Sequence, residues 1–72
     1  MYPSVEKVTE WKHKYRTGMR VRLIYMDSVE SPPVGTEGTV DHVDSIGTLH
    51  VKWDTGDWIG LVLGEDRFEV IG

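Results

Sequence analysis

The chain contains no cysteine. That excludes a disulfide staple and a thiolate zinc site, the two commonest supports of small domains. No apolar run approaches the roughly 18 residues of a membrane span. The first residues, Met1-Tyr-Pro-Ser-Val-Glu-Lys-Val8, place charges where a signal peptide needs an apolar segment. A reducing, cytoplasmic setting without membrane contact is therefore expected. There is no Gly-x-Ser-x-Gly elbow, and Gly35 and Gly38 lack the following Lys-Ser/Thr of a phosphate loop. With no cysteine nucleophile either, the expectation is a non-enzyme with no catalytic residue, no metal site and no cofactor. Repeats, low-complexity tracts and linkers are absent too, so the 72 residues read as one small domain. Its stability has to come from apolar packing, with Trp11, Trp53 and Trp58 as the largest contributors.

The charge is unevenly spread. The chain carries a net −4, yet residues 1–26 hold six Lys or Arg against two acids, and residues 27–72 hold two against ten. A basic head of +4 on an acidic body of −8 suggests two different surfaces, or a head that sits on its own body.

Residues 1–17 read as an N-terminal helix and 18–72 as a β-barrel. From Pro3 to Arg16, Val5, Val8, Trp11 and Tyr15 recur close to one face of a 3.6-residue period. Ser4 suits the N-cap and Gly18 the stop. Beyond Gly18, short alternations separated by glycine turns predict strands over 19–26, 35–43, 48–53, 58–63 and 68–71. Asp44-Ser-Ile-Gly47 and Asp54-Thr-Gly-Asp57 are the hairpin turns. A central Thr55-Gly56 pair places Trp53 opposite Trp58, and a four-residue first turn places Asp41 opposite His50. Val40 and Val43 are three apart, which predicts a bulge near Asp41-His42. Trp58 to Leu63 is apolar on both faces and needs a second cover, for which the helix is the candidate. The fold class is mainly β: a small five-stranded SH3-like barrel preceded by one amphipathic helix.

Three likenesses accompany that reading. Gly18, Val21, Gly35, Gly38 and Val40 resemble the short motif of ribosomal proteins and transcription elongation factors, in which a basic strand precedes Gly-x-x-Gly-x-Val. The loop between the two glycine motifs is long and acidic here, where the ribosomal type has a short basic one. Gly38-Thr-Val40 and Val51-Lys-Trp-Asp-Thr-Gly56 resemble the barrels of certain ubiquitin ligases. The fullest likeness is to a family of small uncharacterised bacterial domains carried on plasmids, conjugative elements and phages. It runs through Gly18, Arg20, Val21, Met26-Asp27, Pro32-Pro33, Gly35-Thr36, Gly38-Thr-Val40, Val43-Asp44, Ile46-Gly47, Val51, Trp53-Asp54, Gly56, Gly64 and Asp66. This resemblance implies the SH3-like fold and a mobile-element setting, and no activity.

A barrel of this size suits recognition better than catalysis. The favoured expectation is a non-catalytic accessory module binding an unidentified protein or peptide partner, with Tyr25, Pro32, Pro33 and Trp58 as the aromatic and proline contacts. The competing reading is weak nucleic-acid binding by Lys12, Lys14, Arg16, Arg20 and Arg22, a basic stripe over helix and first strand with tyrosines for stacking. Self-association through an edge strand or the helix is a variant of the first. An acidic decoy of DNA is a third reading, opposed by the basic head.

Overall fold

The computed structural model describes residues 2–72. Helix α1 spans Val5–Lys14, and five strands follow: β1 Arg20–Tyr25, β2 Glu37–Val43, β3 Thr48–Trp53, β4 Leu61–Val62 and β5 Arg67–Val70. They form one antiparallel sheet in the order β4-β3-β2-β1-β5. β1 to β4 meander, and β5 returns to lie beside β1. The mainly β architecture with one short N-terminal helix follows the alternation in the sequence.

Alternation sorts each strand. Val21 and Leu23, Val40, then Leu49, Val51 and Trp53 point inward and are buried, while Arg20, Arg22, Thr39 and Lys52 point outward. Leu61, Leu63, Met26, Val43 and the helical Val8 complete the core. Trp53 is fully buried, and its indole N–H donates to the Ile59 carbonyl at 2.9 Å. A buried indole needs such a partner.

The helix is shorter than its periodicity suggests. Ser4 is the N-cap, its hydroxyl accepting from the Lys7 N–H at 3.1 Å. Val8 is buried and Trp11 and Tyr15 pack against the core, so α1 lies on its own sheet. Val5, read as part of that face, is 79 % exposed. It stands in the first turn, at the margin of the stripe.

Two register expectations fail by one residue for a common reason. Each hairpin loop holds three residues, closed by a glycine with positive φ: Gly47 at +85° and Gly56 at +96°. The Asp44 N–H bonds the Thr48 carbonyl, and the Trp53 N–H bonds the Asp57 carbonyl. His42, rather than Asp41, therefore faces His50, and Lys52, rather than Trp53, faces Trp58. The bulge falls where the spacing puts it. Val40 pairs with Val51 and His42 with His50, which leaves Asp41 unmatched. Its carbonyl instead accepts from the Thr17 hydroxyl at 2.6 Å. The fourth strand shrinks from the expected 58–63 to two residues, since the Ile59 carbonyl is bound to the Trp53 indole.

Gly38 pairs with Trp53 across β2 and β3. A Cβ at Gly38 would lie 2.6 Å from Val51 Cγ1, 2.9 Å from Trp53 Cε3 and 3.0 Å from the Lys52 carbonyl oxygen. Gly38→Ala is thus expected to destabilise the domain by about 1–3 kcal/mol. Urea unfolding followed by tryptophan fluorescence measures this, and an unchanged midpoint would contradict the packing described.

Candidate functional site

The outward side chains of β1 build an ion-pair network. Arg20 holds Asp54 with both terminal nitrogens, at 2.8 and 2.6 Å, and also donates to the Thr39 hydroxyl at 2.9 Å. Arg22 holds Glu69 at 2.6 Å. Glu37 lies between the two arginines, 3.5 Å from Arg20 and 3.4 Å from Arg22. Strand register causes this: Arg22 faces Glu37 on one side and Glu69 on the other, and Arg20 lies beside Thr39. The hydrogen bond from Arg20 holds the Asp54 carboxyl below its ordinary range, against a smaller opposing effect of desolvation. In turn, the bond to Asp54 pushes the Arg20 guanidinium further up.

Two imidazoles stack on the same sheet face. The His42 and His50 rings lie 4.4 Å apart and 6° from parallel. His42 Nδ1 meets Asp41, and His50 Nε2 meets Asp44 at 2.8 Å. Asp44 also caps its own turn, accepting from the backbone N–H groups of Ile46 and Thr48. Desolvation raises the Asp44 carboxyl, but the His50 bond and the two N–H bonds outweigh it and leave the group below the usual range. Among the described residues no three His, Cys, Asp or Glu side chains converge as metal ligands.

A cleft of about 450 Å³ opens between the end of β1 and the segment before β4. Tyr25, Met26 and Asp27 line one wall, and Ile59, Gly60 and Val62 line the other. Asp66 ties the walls together: one carboxylate oxygen accepts from the Asp27 N–H at 3.3 Å, the other from the Val62 N–H at 2.9 Å.

The expected contact residues do not all meet there. Tyr25 does, half exposed. Trp58 is 62 % exposed but stands beside Lys52 on the outer sheet face, the ammonium 5.8 Å from its ring centroid. Pro33 is exposed on the β1–β2 loop, whereas Pro32 is buried and so stiffens the loop instead of offering a contact. The same loop exposes Val29 and Val34. In the basic stripe, Arg20 and Arg22 are occupied by carboxylates, while Lys12, Lys14 and Arg16 make no ion pair among the described residues. Sequence reading missed Ile59, Gly60, Glu65 and Asp66 as cleft residues. The signal available was Asp66, two residues after Gly64, a residue type that bonds backbone N–H groups at turns.

Residues 4–71 match the model of a family described as a domain of unknown function, DUF4314. The chain belongs to this family. No curated protein and no solved structure matches it. The match begins at the N-cap Ser4, so the family's unit takes in the helix as well as the sheet, beyond the Gly18 start that the motifs suggest. Among the described residues no helix is long and apolar enough to cross a membrane.

The Asp54 pair carries a pH signature. A carboxyl depressed in the folded state adds stability that is fully present above its unfolded value of about 3.9 and is lost as pH falls through the folded value. Asp54→Asn is therefore expected to lower the melting temperature at about pH 7, and the gap to the parent should close toward about pH 2.5. Thermal melts at the two pH values check it. A gap that is unchanged in acid would show that Asp54 acts by something other than its charge.

Proposed function

We propose that this domain is a non-catalytic accessory module that docks a protein or peptide partner, with the Tyr25 cleft as its contact surface and Trp58 as a further contact. The observation that supports it most is a division of labour among exposed side chains. Arg20 and Arg22 are held by Asp54, Glu37 and Glu69. Trp58 and Tyr25, at 62 % and 50 % exposure, keep large apolar faces in water. Exposed aromatics are the residues that partners bury, and Tyr25 stands at a preformed cleft. The likeness to domains of plasmids, conjugative elements and phages supports a role inside a bacterial cell, alongside the proteins of such an element.

Tyr25→Ala and Trp58→Ala remove exposed rings, so each should change stability by less than about 1 kcal/mol. The expected result is that a partner captured from host lysate is lost with Tyr25→Ala and weakened with Trp58→Ala, while circular dichroism stays the same. Retention by both variants would reject the cleft. Steeply salt-dependent capture of mixed DNA and RNA oligonucleotides, lost on charge reversal of Lys12, Lys14 and Arg16, would replace this reading with nucleic-acid binding.

A further inference from the structure

We infer that the outer edge of β5 is a second docking site, which takes up an extended acidic segment of a partner protein as an added strand. This site shares Asp66 with the Tyr25 cleft but does not rest on that cleft's role.

The hydrogen-bond pattern of β1 carries the argument. Leu23 directs both backbone groups toward the β2 side: its N–H donates to the Thr36 carbonyl and its carbonyl accepts from the Gly35 N–H, each at 2.8 Å. Phe68 faces Leu23 on the other side of β1. Its own N–H and C=O therefore point away from β1, because antiparallel ladders alternate bonded and non-bonded pairs. Val70 faces Val21, two residues before Leu23, so its backbone groups turn outward as well. β5 is the last strand in the sheet order, and no other backbone or side chain among the described residues bonds these groups. They form an open template for main-chain pairing.

A groove of about 510 Å³ adjoins the first half of β5, at Arg67 and Phe68. Trp11 and Tyr15 line it from the helix, Phe68 and Arg67 from β5, and Ile24 from the β1 irregularity. Tyr15 and Phe68 meet edge to face at 5.3 Å, which fixes both rings. The charge that borders the groove is positive. Arg67 has no ion-pair partner among the described residues, and Lys7 faces the groove over the Trp11 ring. Lys7 shares its charge only with the exposed Glu10, at 3.6 Å. The one carboxylate in the lining, Asp66, has both oxygens engaged by backbone N–H groups. An added strand that places an apolar side chain against Trp11 and Tyr15, with carboxylates on either side of it, complements this surface in shape and charge.

The probe is an acetylated, amidated octapeptide alternating isoleucine and glutamate, titrated into the full chain by ¹H–¹⁵N NMR. Its control alternates isoleucine and lysine. The Phe68 and Val70 amides should exchange quickly in the free protein and slowly with the acidic peptide, and shifts should cluster on β5 and Trp11. Val70→Pro removes one outward N–H without touching the β1 ladder, and should weaken binding about tenfold or more. Arg67→Glu should weaken the acidic peptide and favour the lysine control. Any of three results would overturn the inference: protection of both amides without peptide, shifts confined to the Tyr25 cleft, or equal binding by Val70→Pro. Concentration-dependent self-association that protects β5 would assign the edge to a second copy of the chain instead. If Val70→Pro fails to fold, the exchange of the two amides in the unaltered chain decides the matter.

Discussion

The fold depends on burying one side chain. Trp53 is the largest residue fully withdrawn from water. Its ring lies against the Cβ-less Gly38 on the facing strand, and its indole N–H takes the Ile59 carbonyl. The second contact has consequences beyond the core. With that carbonyl engaged, residues 57–60 do not continue the ladder to β3 beyond a single bridge at Trp58, and β4 is reduced to Leu61–Val62. Ile59 and Gly60 are thereby left to form the wall of the Tyr25 cleft, and Trp58 is turned onto the outer face. In a domain without cross-links, the same burial that stabilises the chain also shapes its surface.

Electrostatics refine that surface. The sequence divides into a basic head and an acidic body, and the structure joins the two at β1, where Arg20 and Arg22 meet Asp54, Glu37 and Glu69. Exposed pairs of this kind stabilise a fold by little, roughly 0–1 kcal/mol each. Their larger effect is on what remains free. Two arginines that could have met phosphate are held by carboxylates, while Lys12 and Lys14 on the helix and Arg16 just beyond it stay out of the network.

Much of the architecture is legible because alternation and capping are local. Thr48 to Trp53 reads correctly as a strand, Ser4 as a cap, and the bulge at Asp41 follows from the three-residue spacing of Val40 and Val43. What escapes reading has no local signature. Whether an Asp-x-x-Gly turn counts three residues or four decides every cross-strand pair beyond it, and composition does not separate the two cases. That is why His42 displaces Asp41 opposite His50. The Asp66 clamp joins groups 39 residues apart in sequence at Asp27, and no periodicity announces it. Pro32 and Pro33 are alike in sequence, yet one is buried and the other exposed. Tyr25 and Trp58 were readable as contact candidates, but not as facing different surfaces, and Trp58, also expected to add to the packing, is instead exposed.

Sheet edges make the remaining connection between fold and function. A meander of this size leaves two terminal strands, and each is protected in its own way. β4 is only two residues long, and Asp66 caps its Val62 N–H. β5 keeps outward backbone groups at Phe68 and Val70, while the Phe68 ring is held by Tyr15 at the end of the helix. The helix therefore acts as more than a lid on the core: it stiffens the open edge from the side. A rigid edge loses little further conformational freedom when a segment adds to it, so more of the main-chain hydrogen bonding is available for affinity. The charges of β5 work in the other direction. Arg67 and Glu69 on a short strand discourage indiscriminate pairing with apolar chains, and Arg67, unpaired among the described residues, admits a segment that brings a carboxylate. Openness and selectivity at this edge thus arise from the same four residues.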